Sequence, residues 1–215
     1  MREPMVRGDV SWEGLSFPFV APFTIFERAA SQGVENLICR LIVSEVAPGD
    51  TTIDVGSNYG FITRVMARTV GSTGRVVAVE ADPDIAATLT TSLRSSGFSQ
   101  VEVLPRAAGV APLLSIDSLL STIDKVSFLK IDVDGPELDV LHGARGLLER
   151  DHPIVVVELN ETAGPIHEFL REVGYSTFTG LDNQTVDGPP WPPNLVAAVR
   201  AVDVPQKRLE NGNPR

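Results

Sequence analysis

Four acidic side chains stand where a run of apolar or β-branched residues ends: Asp54, Glu80, Asp132 and Glu158. The first lies in Thr51-Thr52-Ile53-Asp54-Val55-Gly56-Ser57-Asn58-Tyr59-Gly60, a short strand pattern that turns through two glycines into a helix. Glycine lets the backbone approach a ligand closely, and a helix start offers unpaired N–H groups. The G-x-G-x-x-G dinucleotide fingerprint would need glycine at positions 58 and 61, where Asn58 and Phe61 stand. The turn therefore suits a nucleoside without a pyrophosphate, and S-adenosylmethionine (SAM) is the first candidate. Glu80 follows Asp54 by 26 residues. A carboxylate there can accept both hydroxyl protons of a ribose, the same mechanics as the acid about 20 residues on in dinucleotide sites. The plain alternative is a solvated acid at a strand end.

Asp132 lies within Lys130-Ile131-Asp132-Val133-Asp134-Gly135-Pro136-Glu137. A methyl acceptor must lie in line with a sulfonium, and a hydroxyl acceptor must lose its proton as it is attacked. A carboxylate at this rim can bind the acceptor, take the proton or balance the sulfonium. Glu158 closes an apolar run in which its charge is costly unless paired. Asp134 and Glu137 also read as a helix cap and a first-turn acid. Asp132, Asp134 and Glu158 offer hard oxygen ligands to a divalent cation, but their spacing specifies none, and no metal is expected. His142, His152 and His167 lack metal-ligand spacing. No serine sits in a nucleophile elbow, and Cys39 lies in an apolar helical stretch, so acyl-transfer chemistry lacks its parts.

Alternating strand and helix patterns must position these acids. Strands are expected at 51–55, 76–80, 101–104, 128–132 and 154–158, the second a continuous apolar run suited to a sheet covered on both faces. Asp82 caps the helix after the second strand, with Pro83 in its first turn. One helix is expected from about Pro136 carrying Leu138, Leu141, Leu147 and Leu148 toward the sheet, and another over Pro165–Val173. The proline-rich loop Gly188–Pro193 makes strands at 175–179 and 195–199 an antiparallel pair. The expected fold is α/β: a doubly wound, mostly parallel Rossmann-like sheet of about seven strands with a late antiparallel hairpin. Ligands then bind at the carboxyl ends of the strands. Residues 1–33 read as an N-terminal extension that could form a lid, 34–204 as the cofactor-binding domain and 205–215 as a fraying tail. Residues 1–20 lack clean periodicity, and Trp12, Phe17, Phe19 and Phe23 are placed to pack on the domain or shield a site.

The whole chain sets the outer bounds. Its 215 residues and 43% hydrophobic content allow one sizeable core. No stretch approaches a membrane span, and the first residues do not form a secretory signal. A single cysteine fits a reducing cytoplasm. The formal charge of −10 argues against general affinity for nucleic acid. The expected partner is a small molecule; the oligomeric state stays open, with a homodimer as one option.

These blocks together resemble the FkbM-type family of SAM-dependent methyltransferases. The resemblance runs from about Glu35 to about Ala198 through Ile53–Gly60, Val76–Pro83, Ser115–Leu120, Lys130–Glu137, Pro153–Glu158 and Asn194-Leu195. It implies a class I methyltransferase fold and methylation of a hydroxyl on a sugar, polyketide or other small metabolite. It implies cofactor contacts from Asp54, Gly56, Ser57, Asn58, Gly60 and Glu80, with Asp132 near the reacting end. Adenine is expected against Ala81 and the Arg106–Ala107 turn, and Asp132 or Glu158 is the candidate acceptor base. The sequence departs from the family twice: Asp134 replaces a more usual glutamate, and only a short segment separates Gly109 from Ser115, where the family usually carries a longer insert. The second departure motivates an alternative, a SAM-binding or interaction module without turnover.

Overall fold

The computed structural model describes residues 3–207. A seven-stranded sheet forms its centre, with strand order β5-β4-β3-β6-β7-β9-β8. The first five of these positions hold β5 (Val101–Leu104), β4 (Arg75–Val79), β3 (Thr51–Val55), β6 (Val126–Ile131) and β7 (Ile154–Glu158), all parallel. β9 (Asn194–Ala198) pairs antiparallel with both β7 and β8 (Thr177–Gly180), giving the expected late hairpin. The chain moves outward from β3 to β5 and then returns to the other side of β3. That reversal opens a crevice at the carboxyl ends of β3 and β6, the usual ligand position in a doubly wound sheet.

Strand alternation sorts the side chains between two cores. Ile53, Val55, Val77, Val79, Leu129 and Ile131 pack on one face with α5 (Glu137–His142), α6 (Arg145–Asp151) and α7 (Ala163–Glu172). Val76, Ala78, Phe128 and Val156 pack on the other with α2 (Asn36–Glu45) and α3 (Phe61–Val70). Asp54 and Lys130 therefore point toward the second face.

The N-terminal residues are more regular than their pattern suggested. β1 (Met5–Trp12) and β2 (Leu15–Pro22) form an antiparallel hairpin followed directly by α1 (Phe23–Gln32). Trp12, Phe17 and Phe19 are buried in the second core, whereas Phe23, at the first position of α1, stays 49% exposed. Weak alternation in β1 follows from its position: the hairpin covers the domain with one face and leaves the other in water. Residues 205–207 have no helix or strand, and the rest of the expected tail, 208–215, lies outside the described residues.

The helix expected from Pro136 is two helices with a break at Gly143–Ala144. The cause is a packed crossing. A Cβ on Gly143 would fall 2.3 Å from the Gly109 carbonyl oxygen, and the Gly143 carbonyl accepts from Asp117 N–H at 2.9 Å and Ser115 Oγ at 2.8 Å. The Asp117 carboxylate then accepts from Gly146 and Leu147 N–H, both at 2.8 Å, capping α6 from a distant part of the chain. The segment after Gly109 is compact: Gly109 N–H donates to Leu114 O and Leu114 N–H to Ala107 O, both at 2.9 Å.

Candidate functional site

The turn after β3 is built by close approach. Gly56 and Ser57 N–H both donate to Val79 O, at 2.9 and 3.1 Å, drawing the turn toward β4. Gly56 has φ +79°, and a Cβ there would lie 1.7 Å from the Asp132 carbonyl oxygen. Only glycine fits that position. Asn58, with φ +50°, donates its backbone N–H to Glu80 Oε2 at 2.7 Å. Glu80 Oε1 accepts from Asp82 N–H at 2.9 Å, so one carboxylate braces the turns after β3 and β4. Each of its oxygens keeps further acceptor capacity.

Arg64, on α3, holds the same turn from behind. It is fully buried and donates to Pro18 O at 2.8 Å, to Tyr59 O and Gly60 O at 2.9 Å, and to Ser92 Oγ at 2.5 Å. Burial pushes its guanidinium down to about 10. One side chain thus joins the hairpin, the glycine turn and α4 (Pro83–Ser95).

Deeper in the crevice, Asp54 and Lys130 are register partners on β3 and β6. Asp54 Oδ2 accepts from Thr63 Oγ1 at 2.6 Å; Oδ1 has no hydrogen-bond partner but faces Lys130 Nζ at 3.6 Å. Lys130 Nζ also lies 3.3 Å from Asp132 Oδ2 and 3.5 Å from Gly56 O. Burial disfavours the Lys130 charge, but Asp54, Asp132 and Glu35 outweigh it and raise its affinity for the proton. Glu35, between α1 and α2, is raised by burial, against Lys130, and further by Asp132, Asp54 and a hydrogen bond with Asp132.

On the far side of Asp132, Glu158 is pushed up to about 7 by burial, then by Asp132, with which it shares a hydrogen bond, and by Asp134 and Glu137. One carboxylate oxygen each from Asp132, Asp134 and Glu158 lies within 4.8 Å of the others, close enough to face a single cation. Asp134 is exposed with φ +55° and does not cap α5. Glu137 is no surface acid. It is fully buried and accepts from Gly135 N–H at 2.9 Å, Val133 N–H at 3.3 Å and the Asn160 amide, locking the loop after β6.

A cleft of about 550 Å³ gathers Asp54, Gly56, Ser57, Asn58, Gly60, Glu80, Ala81, Ala107 and Asp132 on one wall system. Glu158 stands outside that lining and meets it through Asp132. Lys130 and Glu35 line it too and were not singled out from the sequence. Lys130 had a usable signal, since it lies two residues before Asp132 on the same strand face. Glu35 had none, because only tertiary packing brings α2 to β6. Among the described residues no helix is long and apolar enough to cross a membrane.

The two halves of the chain match different family models. Residues 28–109 match protein-L-isoaspartate(D-aspartate) O-methyltransferase, and residues 110–177 match the methyltransferase FkbM domain. The hexuronic acid methyltransferase AglP of Haloferax volcanii is 28% identical over 207 residues, spanning 82% of this chain and 84% of its own. Both matched models are methyltransferases, and the likeness to the FkbM domain falls on residues 110–177. Methyltransferase FkbM from Methylobacillus flagellatus shares its fold, with a TM-score of 0.54 at 21% identity over 72% of this chain and 44% of its own. Aeropyrum pernix fibrillarin, solved with natively bound SAM, has a TM-score of 0.56 at 17% identity over 90% of this chain and 82% of its own. The chain spans only 30% and 38% of the length of two protein-L-isoaspartate O-methyltransferases that it also matches.

SAM is the cofactor that the two methyltransferase matches support. The crevice suits such a ligand: the buried Ser57 hydroxyl at the turn has no hydrogen-bond partner among the described residues.

Proposed function

We propose that this chain transfers the methyl group of SAM to a hydroxyl oxygen of a small molecule, with a sugar or sugar acid as the first acceptor class to examine. The observation that carries the reading is the Glu80-braced glycine turn opening onto the Asp132–Glu158 carboxyl row. AglP, named for hexuronic acid, supports the acceptor class.

In this reading Glu80 accepts from the ribose hydroxyls with the lone pairs that Asn58 and Asp82 leave free. Ala81 and Ala107 flank the adenine, and Asp54, Gly56, Ser57, Asn58 and Gly60 surround the amino acid end. When bound, SAM supplies an electrophilic methyl on a sulfonium. Asp132 lies toward the reacting end, where Lys130 fixes its orientation. Asp132 or Glu158 receives the acceptor's proton as the oxygen attacks. Much of the rate then comes from positioning the two reactants.

Calorimetry with S-adenosylhomocysteine (SAH) tests cofactor binding, and a labelled-methyl assay on neutral sugars, uronic acids and other hydroxylated metabolites tests transfer. Methylation of a hydroxyl supports the proposal. SAH binding without turnover on any acceptor favours the module that the short segment after Gly109 suggested. Absence of SAH binding refutes both.

A further inference from the structure

Glu35 enters the cleft from outside the repeated βα units. Its backbone is left-handed, φ +48° and ψ +50°, a conformation that costs a non-glycine residue free energy and persists only where the surroundings enforce it. The surroundings do enforce it. Trp12 Nε1 donates to Asn36 Oδ1 at 2.6 Å, Asn36 Nδ2 donates to Gln32 O at 2.9 Å, and Glu35 O accepts from Cys39 N–H at 3.0 Å. Gly33 is packed so closely that a Cβ would reach Trp12 Cδ1 at 2.7 Å. The hairpin and α2 therefore aim one carboxyl group at the crevice.

What it meets there is an excess of negative charge. Lys130 Nζ lies 3.6 Å from Asp54 and 3.3 Å from Asp132, and Glu35 lines the same cleft, so three carboxyl groups gather around one ammonium; Arg28 and Arg106 are the other cations of the lining. Burial, Asp132 and Asp54 all make an ionised Glu35 costly. A ligand ammonium brings three donors and a positive charge, and offsets that cost while hydrogen-bonding carboxyl groups.

The order of strands says which ligand group this is. Glu80 stands at β4, Asp54 at β3, Asp132 at β6 and Glu158 at β7. Glu35 lines the cleft with Asp54, Lys130 and Asp132, from β3 and the end of β6, whereas Glu158 stands outside that lining. A cofactor with its ribose on Glu80 lays its amino acid end over β3 and β6. We infer that Glu35, together with Asp132, receives the α-ammonium of that amino acid end. The inference rests on the SAM reading and assigns a cofactor contact to the segment joining α1 and α2.

The test is calorimetric and needs no acceptor. SAH carries the amino acid end; 5′-methylthioadenosine lacks it. Glu35→Gln in the full chain should weaken SAH binding about tenfold or more while leaving 5′-methylthioadenosine binding unchanged. Unchanged SAH affinity, or equal loss for both ligands, overturns the inference while the SAM reading stands. Failure of the unmodified chain to bind either ligand removes the SAM reading itself. Should Glu35→Gln not fold, the unmodified chain can be titrated with SAH and its deaminated analogue. Equal affinity for those two would also overturn the ammonium seat.

Discussion

Gly56→Ala separates the cost of backbone conformation from the cost of a collision. At φ +79° an L-residue pays about 1–2 kcal/mol for the left-handed conformation. The added Cβ would also lie 1.7 Å from the Asp132 carbonyl oxygen, with the Asp132 carbonyl carbon at 2.8 Å. Ordinary contact therefore needs a displacement of about 1.5 Å or more, and such overpacking costs about 1–3 kcal/mol. The atoms that must move are backbone at the ends of β3 and β6, the two strands flanking the crevice. Gly97→Ala is the control, because Gly97 has φ +77° and a Cβ there would meet nothing within 4 Å. Urea unfolding should show a loss of about 1–2 kcal/mol for Gly97→Ala and about 2–5 kcal/mol for Gly56→Ala. The latter lowers Tm by roughly 10 °C in a chain of this size. SAH affinity should fall for Gly56→Ala alone. Equal stability losses, with SAH binding intact in both variants, would refute the close-approach argument.

Other perturbations probe the neighbouring parts. Glu80→Gln replaces a charged acceptor of two backbone N–H groups and should weaken SAH binding by about 1.5–3 kcal/mol; calorimetry giving the affinity of the unmodified chain would remove Glu80 from the ribose role. Arg64→Met leaves four acceptors without their buried donor and should cost about 3–5 kcal/mol, read by denaturant unfolding; a loss below about 1 kcal/mol would sink the idea that it ties hairpin to turn. Glu158, pushed up to about 7, has a folded pKa above its unfolded value, so its ionisation makes stability fall as pH rises from about 4.5 to about 7. Glu158→Gln should therefore be relatively more stable than the unmodified chain at about pH 8 and equal to it at about pH 4, by less than about 1 kcal/mol because water screens the site. If Glu158 is the acceptor base, turnover of the unmodified chain should also rise with pH through this range, and a flat profile would remove Glu158 from that role.

The acids at strand ends were legible because they obey local rules. Asp54, Glu80, Asp132 and Glu158 each close an apolar run, and parallel strands bring such closures to one edge of a sheet. The glycines at 56 and 60 were legible for a similar reason, since a strand-to-helix turn needs backbone without side chains. What escaped was set by distant packing. Glu137 is a first-turn acid of α5, as its pattern suggests, but its burial against the amide of Asn160 and two loop N–H groups has no local signal. The break between α5 and α6 has no proline to announce it; it follows from Asp117 and Gly109, both far back in the chain. The hairpin at the N-terminus was hidden because half of its side chains face water and its aromatic residues serve a core formed mostly by later elements.

The division between the two family matches follows the topology of the sheet. Residues 28–109 include β3, β4 and β5, laid outward from the centre, and contain Asp54, the glycine turn, Glu80 and Ala107. Residues 110–177 return the chain to the other side of β3 and contribute Asp132, Asp134 and Glu158. In the proposed reading the first stretch builds the wall that receives the adenosyl ligand, consistent with its likeness to enzymes of a different named substrate. In the same reading the second stretch supplies the groups on the acceptor side. Lys130 joins the halves physically, since its ammonium touches Asp54 from one and Asp132 from the other. A change in acceptor preference should therefore follow substitutions at Asp134 or Glu158 without loss of SAH affinity, while Lys130→Met should disturb both functions together. Equal effects from all three positions would mean that the crevice does not divide along the sheet.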